Sequence, residues 1–234
     1  MYQFPGPRYG LGIKTNGTIW SWGDNAGGSL GDGTLINRSS PVQIGTLTNW
    51  LIISGGGSHS MAIKTDGTLW SWGTGTSGQL GDNSIVSKSS PVQIGTLTTW
   101  SNISGGWQTS MGIKNDGTLW GWGANGSGQL GDNTIVGKSS PIQIGTLTDW
   151  SSVSVGTNHT LARKTDGTIW SWGINTSGQL GDGTATSKSS PVQIGTLNTW
   201  FDVQAGDANS LALKNDGTIW GWLPKSIFLR TPLS

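Results

Sequence analysis

The chain contains no cysteine and no glutamate. Without cysteine there can be no disulfide, no thiolate metal site and no cysteine nucleophile. The compartment stays open, because many exported bacterial and viral proteins also lack cysteine. All twelve acidic residues are aspartate. Aspartate suits turns and glutamate suits helices, so the bias points to a chain without helices. Charge is scarce and balanced, with 13 basic against 12 acidic residues in 234. The lysines recur at Lys14, Lys64, Lys114, Lys164 and Lys214, spread along the chain, and give no clustered basic face of the kind nucleic-acid binding needs. No stretch approaches the roughly 18 apolar residues of a membrane span. The opening residues, MYQFPGPRYG, hold no apolar core of signal-peptide length.

What the chain has in excess is glycine, 40 residues, and tryptophan, 15 residues, and the tryptophans are periodic. Trp20, Trp70, Trp120, Trp170 and Trp220 stand 50 residues apart, as do Trp22, Trp72, Trp122, Trp172 and Trp222. Trp50, Trp100, Trp150 and Trp200 keep the same period. A fixed period of this size marks a repeat architecture. The chain reads as one repeat domain over 1–234, with copies 1–49, 50–99, 100–149, 150–199 and 200–234.

Copy 50–99 serves as the type. WLIISGG and HSMAIK are followed by an Asp-Gly turn, a strong hairpin signal. In TLWSWG, Trp70 and Trp72 fall on one face at period two. A turn-rich GTSGQLGDNS loop leads to KSSPVQIG, with Pro91 near its start, where a missing N–H costs least. Four short strands per repeat and no helical periodicity predict an all-β propeller of about five four-stranded blades. The tryptophans would fill the space between blades. Gly55–Gly56 and Gly105–Gly106 would sit on the crowded strand nearest the axis.

The run LWSWG, SGQLGD, SPVQI, ISGG, HSMAIKTDG resembles the repeat of the regulator of chromosome condensation family, over about residues 10 to 222. The resemblance implies seven-bladed propellers of four-stranded blades. It also implies varied roles, nucleotide exchange on a small GTPase among them, that share a rigid disc binding another protein on one face. This chain has five copies. The first carries MYQFPGPRY where the others have a glycine strand, and the last departs from the pattern at Leu223. A first blade without its inner strand and a fifth without its outer strand are expected. Both a closed five-bladed ring and an open, incomplete ring fit.

No catalytic constellation is expected, and no metal or cofactor site. Asp32, Asp82, Asp132 and Asp182 recur in the GQLGD loop; they fit a cation-binding ring or, more simply, turn residues bonding their own backbone. The spacing lacks the alternating ligands of a calcium loop. Asn16, Asp66, Asp116, Asp166 and Asp216 read as hairpin residues. His59 and His159 share a repeat position and are expected to bond within their blades. No serine has a nucleophile-elbow context.

Trp107 alone lies off the lattice. It fits a binding hot spot, a sugar-stacking ring or blade filler. Change between copies concentrates at 51–52, 57–59, 74–76 and 84–87 and their equivalents; the 57–59 and 74–76 sets lie in loops on a constant scaffold, where recognition usually resides. The expected partner footprint is Trp107, Gln108, Thr74, Thr76, Ala124, Asn125, Ile174 and Asn175. The expected function is a non-enzymatic scaffold that binds a protein. A glycan-binding module is the alternative, and nucleotide exchange is a more distant one. An open ring would also expose apolar blade faces and permit self-association.

Overall fold

The computed structural model describes residues 8–222. Residues 1–7, most of the departing MYQFPGPRY segment, and 223–234, after the repeat ends, lie outside the described residues.

Every described element is a strand. Blade 1 holds β1 (Tyr9–Ile13), β2 (Ile19–Gly23) and β3 (Arg38–Gln43). Blade 2 holds β4 (Trp50–Gly55), β5 (His59–Lys64), β6 (Leu69–Gly73) and β7 (Lys88–Gln93). Blade 3 holds β8 (Trp100–Gly105), β9 (Thr109–Lys114), β10 (Leu119–Gly123) and β11 (Lys138–Gln143). Blade 4 holds β12 (Trp150–Val155), β13 (His159–Lys164), β14 (Ile169–Gly173) and β15 (Lys188–Gln193). Blade 5 holds β16 (Trp200–Ala205), β17 (Ser210–Lys214) and β18 (Ile219–Trp222). Within each blade, strands pair with their sequence neighbours in an antiparallel meander.

Local chemistry sets each hairpin. Asp66 Oδ1 accepts from the Thr68 amide at 3.0 Å and its hydroxyl at 2.7 Å, closing the turn. Thr68 Oγ1 in turn accepts from Trp70 Nε1 at 3.0 Å. The same relay recurs at Asp116, Asp166 and Asp216. These aspartates are turn builders, as their position before glycine predicts. In β4, Trp50 pairs with Lys64 and Ile52 with Ile63, so Leu51 is the extra residue of a bulge and points to solvent.

The core lies between blades. The face of blade 2 carrying Met61, Ile63 and Leu69 packs on the Trp100, Trp120 and Trp122 face of blade 3. The same aliphatic-on-tryptophan pairing joins blades 1 and 2, 3 and 4, and 4 and 5. Burying one indole, at about 25 cal/mol per Å² over roughly 150–250 Å², contributes about 4–6 kcal/mol before entropy is counted. That is how a glycine-rich sheet holds together.

The carbonyl before each Leu-Gly pair of the loop clamps a junction. Trp122 Nε1 donates to the Gln79 carbonyl of the preceding blade at 3.0 Å, and Ser110 Oγ donates to the same oxygen at 2.8 Å. Trp72 makes the equivalent bond to Ser29, and Trp172 to Gln129. Gly81 adopts φ +78°, and a Cβ there would stand 2.8 Å from Trp122 Nε1. Glycine is required twice over, by its dihedral and by its neighbour. Nearer the axis, the Ser54 and Ser104 hydroxyls accept from the Gly105 and Val155 amides, lacing one first strand to the next.

Blade packing runs in one series from blade 1 to blade 5, and among the described residues no comparable packing joins blade 5 to blade 1. The end faces are correspondingly open. Trp22 is 38% exposed where Trp72, Trp122 and Trp172 are 0%. Leu211 is 42% exposed where its counterparts Met61, Met111 and Leu161 are 0–1%. Of the two arrangements open in the sequence, the described residues adopt the arc.

Candidate functional site

One face of the arc gathers two sets of loops. The turns between first and second strands, around residues 56–58, 106–108 and 156–158, leave from the same end as the loops after the Trp-Gly strand. Backbone bonds join the two sets: the Thr74 amide to the Ser58 carbonyl at 2.8 Å, Ala124 to Gln108 at 2.8 Å, and Ile174 to Asn158 at 2.9 Å. Neighbouring turns are joined as well, Gly57 N to Gly106 O at 3.0 Å and Thr157 N to Gly206 O at 3.2 Å. The face is therefore a cross-tied surface rather than a set of independent loops.

Trp107 is half-buried and lies across Gly57 of the preceding blade; a Cβ on Gly57 would stand 2.5 Å from its Cε3. Its ring forms one wall of a cleft of 230 Å³ that reaches blade 1, where Arg8, Asp24 and Ala26 complete the lining with Ser58. Thr74 abuts this cleft through Gly27, one of its lining residues. Gln108 and Thr76 are exposed, and Ala124 and Ile174 are partly so, further along the same face. The cleft is lined by an aromatic residue, an acidic residue and an arginine within one small concavity.

Asn125 and Asn175 do not belong to the accessible set. Both are buried and hold their own loops. Asn125 Nδ2 donates to Asp132 at 2.9 Å and to the Thr134 carbonyl at 3.1 Å, while its Oδ1 accepts from the Leu130 amide. Asn175 repeats these bonds. Asp132 is likewise held inside the loop by the Thr134 amide and hydroxyl. Burial pushes its carboxyl upward, and the Thr134 and Asn125 hydrogen bonds with the Lys138 ammonium outweigh it, leaving the pKa below the usual range. The recurring loop aspartates are thus structural acceptors. The sequence signal for the buried asparagines is their recurrence: three of the four full loops carry Asn at this position, Asn25, Asn125 and Asn175, amid neighbours that change.

The histidines tie blades together instead of bonding within them. His59 Nε2 lies 2.8 Å from Ser110 Oγ in blade 3, and His159 Nε2 lies 2.9 Å from Ser210 Oγ in blade 5. Each serine gives its one proton to a carbonyl, Gln79 or Gln179. The serine oxygen must then accept, so the proton sits on Nε2 of each neutral histidine. Nδ1 is buried without a partner. Burial pulls both pKa values down to about 4. Sequence separation of 51 residues hides this contact until blades are placed side by side.

A family model described as the regulator of chromosome condensation (RCC1) repeat matches residues 16–63, 66–113, 116–163 and 166–213. A second model of that repeat matches 52–79, 100–129 and 150–179. No curated protein matches at a significant level. Among solved structures, yeast RCC1 (Prp20) bound to Kap60 superimposes with a TM-score of 0.82 at 20% identity, over 92% of this chain and 54% of that one. Prp20p from Saccharomyces cerevisiae, described with its binding properties to Gsp1p and histones, gives 0.80 at 22% identity over 92% and 56%. Human WBSCR16 gives 0.82 at 20% identity over 93% and 60%. The chain spans little more than half the length of these structures, and at such identities the likeness is one of fold.

Proposed function

The chain belongs to the regulator of chromosome condensation repeat family, and on that premise we propose that it is a non-enzymatic scaffold binding a protein partner through the loop face around Trp107. The observation that carries this reading is the Trp107 ring, half-buried on Gly57 at the mouth of a cleft that also presents Arg8 and Asp24. A rigid aromatic anchor beside a few polar groups is the usual composition of a binding hot spot. Solved relatives have been studied with protein partners, Kap60 in one case and Gsp1p and histones in another. The test is partner capture by the intact chain and by Trp107→Ala and Gln108→Ala. A hot-spot loss of about 2 kcal/mol lowers affinity roughly thirty-fold. Capture unchanged in both variants, with their melting unchanged, removes the loop face from the proposal.

The same cleft supports a second reading, in which a sugar stacks on Trp107. Its size suits one ring, and Arg8, Asp24 and Ser58 supply hydrogen-bonding groups. A glycan array without signal removes that reading. Self-association rests on a separate observation, the exposed Trp22 face of blade 1 and the Leu211 face of blade 5. These are the two halves of a junction that the chain already makes four times. Light scattering that gives the monomer mass at every concentration ends that reading. Nucleotide exchange has the least support, because near-uniform 50-residue copies leave no specialised insertion.

A further inference from the structure

The second strand of each four-stranded blade ends in a lysine laid over tryptophan. Nζ of Lys64 is 3.8 Å from the Trp70 ring centre, that of Lys114 is 3.3 Å from Trp120, and that of Lys164 is 4.4 Å from Trp170. All three lysines are buried. Lys164 has an ion-pair partner: Asp149 Oδ2 lies 3.3 Å from its Nζ. Asp149 stands immediately before Trp150. The residue in that place before Trp100 is Thr99, and the one before Trp50 is Asn49. Among the described residues no carboxylate lies within ion-pair distance of Lys114.

A groove of 590 Å³ opens beside Lys114 instead, at the outer rim between β7 and β11. Trp100, Trp120, Leu97 and Pro141 give it apolar walls. Its other charged lining groups, Asp82 and Lys88, face each other at 3.7 Å and largely cancel. Burial pushes the Lys114 pKa down, opposed by the nearby Asp116. This buried ammonium borders an open groove, and its sister in the next blade takes a carboxylate, the partner with which an ammonium makes its stronger hydrogen bonds.

We propose that this groove binds a carboxylate-bearing ligand, an Asp or Glu side chain of an acidic peptide segment, with the carboxylate beside Lys114 as Asp149 is beside Lys164. The walls take the aliphatic part of such a segment. The site is separate from the Trp107 cleft and shares no lining residue with it.

The probe is the blocked tripeptide Gly-Asp-Gly, with Gly-Asn-Gly as its uncharged control, titrated into the ¹⁵N-labelled chain. The readout is the indole Nε1–H signals of Trp100 and Trp120. Saturable shifts of these two signals are expected with the Asp peptide and not with the Asn peptide. Lys114→Met abolishes the shifts. Thr99→Asp abolishes them too, by installing the carboxylate from within, and it keeps the test independent of any folding defect in Lys114→Met. Lys164→Met leaves them unchanged. The proposal is overturned by equal shifts with both peptides, by no shift at millimolar peptide, or by shifts that survive Thr99→Asp.

Discussion

Acid is expected to weaken the two blade junctions that carry a histidine before it titrates the turn aspartates. His59 and His159 are buried, neutral and bonded across junctions 2–3 and 4–5. Burial sets both pKa values at about 4 against the usual 6.5; for His159 the Asn209 carbonyl and Asp207 pull the other way and are outweighed. The folded chain therefore binds these protons more weakly than the unfolded chain does. Stability is full above pH 6.5, falls as pH drops from there to about 4, and levels off below. A separation of about 2.5 units at 1.36 kcal/mol each gives roughly 3 kcal/mol per histidine. Two histidines give about 6–7 kcal/mol, against a typical whole-domain margin of about 5–15 kcal/mol. Asp66, Asp116 and Asp216 act in a different window. The hydroxyl and amide of the threonine two residues on hold their carboxyls below 3.8, so their contribution is full at neutral pH and is lost progressively as pH falls below about 5. Urea unfolding followed from neutral pH down to about 5 stays above the range in which the unfolded aspartates take up protons, and so reads the histidines alone. The wild-type slope should approach about 2.7 kcal/mol per pH unit at its steepest. Asparagine already occupies the equivalent position at Asn209, so His59→Asn and His159→Asn are compatible replacements. Each should halve the slope, and the double variant should flatten it. A wild-type curve flat across this window, or a slope that persists in the double variant, refutes the reasoning.

Two further outcomes follow from the junctions. Gly81→Ala forces a Cβ to 2.8 Å from Trp122 Nε1 at a φ of +78°, and strain with overpacking on the order of 3 kcal/mol is expected in chemical denaturation; Gly126→Ala, where a Cβ meets nothing within 4 Å, is the control and should stay within about 0.5 kcal/mol. Leu161 and Leu211 hold the same repeat position, one buried and the other on the open face of blade 5. Leu161→Ala should cost about 2–5 kcal/mol and Leu211→Ala less than about 1 kcal/mol; equal losses would mean that the blade 5 face is covered in solution.

The period made the fold legible because it marks which residues do the same work. Trp70 and Trp72 at period two predict one shared face, and the structure packs both against blade 1. The Asp-Gly turns and the glycines beside Trp122 follow from the same pattern. Contacts between copies were not legible, because a period aligns Ser110 with Ser60 and says nothing of Ser110 beside His59. The inward placement of the loop asparagines was not legible for a related reason. Variation at 74–76 and its equivalents signals freedom from the scaffold, yet Asn125 points inward and holds its loop. What a repeat protein binds must therefore be sought where equivalent positions differ and the difference reaches an open surface. Trp107 meets that condition on the loop face, where the other copies carry Gly57, Thr157 and Asp207. Thr99 meets it at the rim, where the Asp149 carboxylate is missing beside a buried lysine. Other differences between copies change internal contacts, as at Arg163, which bonds the Trp200 carbonyl and Ser151 Oγ where the neighbouring copies carry Ile63 and Ile113, so sequence variation by itself overstates the functional surface.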